Sequence, residues 1–248
     1  MKLRSGILTL AFIGFSLSLS AQTTEISFLE LGLNQNKSGN YADALRNFTL
    51  EIEKTAANPN PIAFYNRGFA KYNLKDFQGA ILDFNKALEL KTNYFEAFIA
   101  RGQSYSKQDN HPLAIQDYNE AIRLNPLEAT AYFSRGISKS KLANYRGALS
   151  DFNKSLELNA EYAPGLAARG EAKAHLADYR GSIEDFDKAI EISPKRSSYL
   201  SNRAFSKMKL AEYQPALKDF EEAIKLSPDN PDDWYHAGFC KTQLENFR

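Results

Sequence analysis

Apolar and small residues recur along this chain at steps of three and four, and the whole pattern recurs in turn. In "YNRGFAKYNLKDFQGAILDFNKALEL", Tyr65 to Leu90, the positions Ala80, Ile81, Phe84, Ala87 and Leu88 fall on one face of a helix. Phe64, Gly68 and Leu74 predict an earlier helix. Asp76 stands between the two as an N-cap, its carboxylate able to accept from the orphan N–H groups of the new helix. "FSRGISKSKLANYRGALSDFNKSLEL", Phe133 to Leu158, repeats the skeleton. Gly68, Gly102, Gly136 and Gly170 are each 34 residues apart; the next step lands on Ala204 and the one after on Gly238. Gly32 precedes Gly68 by 36, so the first unit carries two extra residues around Ala56–Pro59. The units are therefore 25–60, 61–94, 95–128, 129–162, 163–196 and 197–230, with 231–248 beginning a seventh and stopping halfway. Each predicts a pair of helices. Asn40, Asn110, Asn144 and Asp178 occupy the N-cap place of Asp76. Pro126, Pro194 and Pro228 break the chain between units, whereas Pro112 and Pro215 fall in a first turn, where a missing N–H costs little.

The small residues have a packing reason. Gly68 and Ala80, with their repeats, sit where the two helices of a hairpin approach, and a larger side chain would force the axes apart. Phe84 and its repeats Phe48, Tyr118, Phe152, Phe186 and Phe220 fill the space beside them. Burying one such ring contributes about 1.5–3 kcal/mol. No unit holds enough core alone, so the units must stack.

Two further fixed positions are charged. Arg67, Arg101, Arg135, Arg169 and Arg203 precede the small residue, and Asp83, Asp117, Asp151, Asp185 and Asp219 precede the ring. The first unit has Leu31 and Asn47 in those places, so the two charges are gained and lost together within units. This favours pairing inside each hairpin over a link between neighbouring units or a solvated charged face. A partly buried pair can fix register, and a one-unit slip is the obvious hazard of a repeat.

Composition changes this picture mainly at the N-terminus. "MKLRSGILTLAFIGFSLSLSAQ" has Lys2 and Arg4, an apolar run from Ile7 to Leu19, then small residues, the secretory pattern. Residues 1–21 are expected to be a signal peptide cleaved after Ala21, with an uncleaved anchor as the alternative. The run is short for a span, which takes roughly 20 apolar residues. Removing it leaves 29 basic against 30 acidic residues in the mature array, 22–248. That balance offers nothing to nucleic acid. Cys240 is the sole cysteine, and His111, His175 and His236 are scattered, so neither a disulfide nor a Cys/His metal cluster is expected. His111 stands where other units carry an aromatic and reads as packing, as does Cys240; His175 and His236 lie in first helices that could face a groove. The acids follow the repeat, and no phosphate loop or nucleophile elbow is present, so neither catalysis nor a cofactor is expected.

The period and skeleton resemble the tetratricopeptide repeat family across about 25–248: Gly, Tyr or Phe before the second helix, Ala, aromatic, Ala and Pro recur in phase, and Trp234 supplies the aromatic favoured near the start of a unit. The resemblance implies an all-α solenoid, a right-handed superhelix of antiparallel helix pairs with first helices lining a concave groove. The first unit departs most, with Gln35 and Glu51 at positions usually apolar or small. The residues implied to point into the groove include Tyr65, Phe69, Ile99, Phe133, Ile137, Phe205, Tyr235 and Phe239, and most positions of this set are apolar. Some members grip a carboxylate tail with a Lys/Asn/Arg clamp; Asn66 and Asn202 match its Asn, but Leu29, Leu33, Ala167 and Glu171 stand where Lys and Asn are required. The expected function is an exported, periplasmic or secreted, non-catalytic scaffold that binds a protein or peptide segment. The alternatives are a self-assembling spacer and a cell-wall glycan binder. Residues 231–248 resemble an internal first helix rather than a polar cap, which suggests a fragment of a longer array, an end-to-end contact or an imperfect cap.

Overall fold

The structure, a computed structural model, describes residues 27–246; the expected signal segment lies outside them. Thirteen α-helices and no strand make up the described residues. They are α1 (Phe28–Lys37), α2 (Tyr41–Lys54), α3 (Pro61–Asn73), α4 (Phe77–Leu90), α5 (Phe95–Lys107), α6 (His111–Leu124) and α7 (Ala129–Lys141). There follow α8 (Tyr145–Leu158), α9 (Ala163–His175), α10 (Tyr179–Ile192), α11 (Ser197–Lys209), α12 (Tyr213–Leu226) and α13 (Pro231–Asn246). Consecutive helices pack in pairs, and each pair packs on the next. Successive odd-numbered helices touch each other, whereas even-numbered helices do not. The stack therefore curves with its first helices on the inner side.

Each hairpin turns the same way. The N–H of Asp76 reaches back to the Lys71 carbonyl (2.9 Å) across a left-handed residue, Lys75, at φ 67°. The same closure recurs at Asn40, Asn110, Asn144, Asp178 and Glu212. Side-chain caps follow the sequence expectation with one exception. Asp76, Asn144 and Asp178 accept from Gly79, Gly147 and Gly181 at 2.9–3.0 Å, and Asn110 from Leu113 at 3.3 Å. Asn40 makes no such bond. A Cβ on Gly79, Gly147 or Gly181 would run into the capping side chain, so glycine admits the close cap. Leu113 lengthens it, and Asp43 occupies that third position in α2.

The core is the expected row of rings. Phe48, Phe84, Tyr118, Phe152, Phe186 and Phe220 are fully buried. A Cβ added at Gly32, Gly68, Gly102, Gly136 or Gly170 would come within 2.6–3.1 Å of the matching ring. Cys240 is buried in the last cluster, as expected, and burial raises its thiol pKa.

The charged positions pair inside each hairpin. The five arginines donate from Nε and Nη2 to both oxygens of their own unit's aspartate at 2.5–3.0 Å. The structure adds two arms that sequence reasoning missed. Lys71, Lys139, Lys173 and Lys207 join the same aspartates at 2.7–2.8 Å. Nη1 of Arg101, Arg135, Arg169 and Arg203 reaches back to Asn85, Asn119, Asn153 and Asp187 of the preceding unit at 2.6–3.1 Å. Each of these four arginines thus locks its hairpin and its neighbour at once, whereas Arg67 holds only its own Asp83. The third unit has Tyr105 in the lysine's place. Asp117 there has only Arg101, and burial, less than fully offset, raises its carboxyl pKa. In the first unit the charges give way to a neutral bond, Asn47 to Gln35 at 2.6 Å.

Candidate partner-binding groove

The inner face is not uniform, and residue size at one position varies along it. The fifth residue of each first helix from α3 onward stands at the inward position: Tyr65, Ile99, Phe133 and Tyr235 in four units, but Ala167 and Ser201 in two. Beside Ser201 a cavity of about 530 Å³ opens between α9, α11 and α13. A second, of about 340 Å³, adjoins it on the α7 side and shares Glu171 and His175 with it.

The larger cavity has aromatic walls and polar ends. His236 stacks on Phe220 with ring centres 5.6 Å apart and meets Phe205 edge-on at 5.7 Å. His175 stacks flat on Tyr145 at 4.2 Å. Asn202 donates to Glu171 at 2.9 Å, and Ser201 donates to Asp233 at 2.9 Å. Glu171 opens into the cavity, yet the surrounding walls raise its carboxyl pKa by desolvation, against the opposing influence of His175 and Lys141. Both His175 and His236 face the groove, whereas His111 lies apart at the start of α6, its Nδ1 buried without a partner.

The eight implied groove residues divide. Tyr65 is half-buried between Phe84 (5.8 Å) and Tyr94 (5.0 Å), and burial raises its hydroxyl pKa. Phe133 is held likewise between Phe152 (5.9 Å) and Tyr162 (5.0 Å), with Ile137 packed in the same cluster. Ile99 is half-buried. Phe69 is 37% exposed, Phe239 40% and Tyr235 71%. Of the eight, Phe205 lines the larger cavity and Ile137 the smaller. Glu171 and Ser201 stand at positions that the resemblance turns inward, and Asn202 at that of a clamp Asn; Asp233 escaped sequence reasoning as a site residue. The signal for a change of lining was present in the break from apolar to small or polar residues at the inward positions of the fifth and sixth units.

Tetratricopeptide repeat models match residues 61–94 and 95–126 in one form and 163–196 and 197–230 in another, together a little over half of the chain. No curated protein matches by sequence. Among solved structures, PilF of Pseudomonas aeruginosa superposes with a TM-score of 0.74 at 16% identity, covering 87% of this chain and 96% of its own. YrrB, described as a TPR protein with an unusual peptide-binding site, gives 0.65 at 20%, covering 76% and 96%. MamA from Desulfovibrio magneticus RS-1 gives 0.61 at 23%, covering 68% and 94%. These likenesses concern the fold.

Proposed function

The chain belongs to the tetratricopeptide repeat family, and from that premise we propose that it is a non-catalytic scaffold whose inner face holds a segment of another protein, chiefly along α7 to α13. The observation that carries this reading is the pair of adjoining cavities. They lie where the first helices meet, and the hairpin cores, complete without them, leave them unfilled. A concave, largely aromatic wall with a few placed polar groups is the usual form of a ligand site. Two adjoining hollows suit successive side chains of an extended segment. That YrrB has a peptide-binding site on a similar fold supports the reading.

Selection of displayed peptides against the mature chain tests it. Selected peptides should lose about tenfold or more in affinity on Phe205→Ala or His236→Ala, and nothing on Leu82→Ala, which alters an exposed side chain of a second helix. Selection that enriches no sequence, or peptides sensitive only to Leu82→Ala, would overturn the reading. The array is further proposed to work outside the cytoplasm, supported by the basic, apolar and small-residue succession of residues 1–21. N-terminal sequencing of the natural protein should begin near Gln22; an intact Met1 in a soluble cytoplasmic pool contradicts export.

A further inference from the structure

We propose that the cavity between α9, α11 and α13 receives a cationic side chain, arginine or lysine, of the bound segment; this rests on the groove reading above and names its chemistry. Asp233 is 2% exposed, yet lines this cavity. Its Oδ2 accepts from Ser201, and its Oδ1 accepts no hydrogen bond among the described residues. The other first helices carry Ala63, Ala97, Ala131, Gly165 or Tyr199 at this place, so packing does not call for an acid. The amino end of α13 eases the charge but leaves that oxygen without a donor. Glu171 across the cavity is exposed: Asn202 donates to Oε1, Oε2 accepts nothing among the described residues, and His175 and Lys141 act on its charge without forming an ion pair.

Elsewhere the array never leaves its ladder acids so. Asp83, Asp117, Asp151, Asp185 and Asp219 are buried, and each holds an arginine. Glu171, Asp232 and Asp233 form no ion pair with any lysine or arginine among the described residues. Lys209, which lines the cavity, sits instead over the Phe205 ring at 5.0 Å. A buried carboxylate lacking a cation is costly, and an incoming ammonium or guanidinium supplies both charge and donors. The flat faces of His236, Phe205 and Tyr179 suit a cation's alkyl stem and its charged head. No group of three His, Cys, Asp or Glu close enough to hold a metal occurs among the described residues.

Titration of the full chain with N-acetyl-arginine amide, N-acetyl-lysine amide and the neutral isostere N-acetyl-citrulline amide, followed by amide chemical shifts, tests this. At least one cationic probe should shift Ser201, Phe205 and His236 saturably, bind about tenfold tighter than citrulline, and lose that preference in Glu171→Gln. Glu171 is open to the cavity, so Gln there leaves the fold intact, which circular dichroism checks. Equal binding of citrulline, shifts confined to other faces, or a preference that survives Glu171→Gln would overturn the inference. If selected peptides still bind the groove in those cases, the groove reading stands and only the cation falls.

Discussion

Ala143, Ala177 and Ala211 hold φ of 56–63°, a region in which a Cβ strains the backbone and glycine does not. Gly39 takes the same place in the first hairpin at 78°. Ala177→Gly is therefore expected to stabilise the array by about 0.5–1 kcal/mol, and Gly39→Ala to destabilise it by about 1 kcal/mol, in urea unfolding. The reverse order would mean that unfolded-chain entropy outweighs turn strain. Asp151→Ala strips Arg135 and Lys139 of their shared partner. About 3 kcal/mol should be lost, at the low end for a broken buried pair because both cations retain some solvent contact. A loss below about 1 kcal/mol would place the pair among solvated surface contacts. The arginine and aspartate were legible in the sequence because they appear and vanish together. The lysine four residues after each arginine recurs almost as regularly, but lysine on a helix has a ready solvated explanation, so its partner emerged only with the geometry.

At the scale of the helix, the glycine of the first helices α1, α3, α5, α7 and α9 is a seat for a ring. Gly136→Ala would drive a Cβ to 2.6 Å from the Phe152 ring, whereas a Cβ at Gly238 meets nothing within 4 Å. The same substitution should thus cost about 1–3 kcal/mol at Gly136 and gain up to about 1 kcal/mol at Gly238, where only helix propensity acts. Matched losses in thermal unfolding would show that the close approach is not what selects glycine. Helix positions were readable because core periodicity and turn chemistry agree along the chain. Groove lining was less so. The resemblance assigns Tyr65 and Phe133 inward, but Tyr94 and Tyr162, from the segments between units, lie against them and draw them towards the core. No single-helix pattern carries that contact. The larger cavity is lined by Ser201 where other units carry a larger side chain, and such a gap shows in a sequence only once the neighbouring units are superposed.

For the molecule as a whole, stability comes from each unit covering the last. Among the described residues, nothing covers the face of α13 around Gly238, and Trp234 is 58% exposed. Adding a helix with an aromatic sixteen residues beyond Gly238, the Gly68–Phe84 spacing, and a polar outer face should raise the melting temperature and lower any self-association seen by sedimentation. No change in either would mean that residues 231–248 already suffice as a cap. The central claim is that the inner face along α7 to α13 holds a polypeptide segment. A crystal structure of the mature chain with a selected peptide tests it most directly. The expected result is an extended segment across α9, α11 and α13, with a basic side chain entering the cavity beside Glu171 and Asp233. A peptide seated on the outer, even-numbered helices, with that cavity holding water alone, would contradict it.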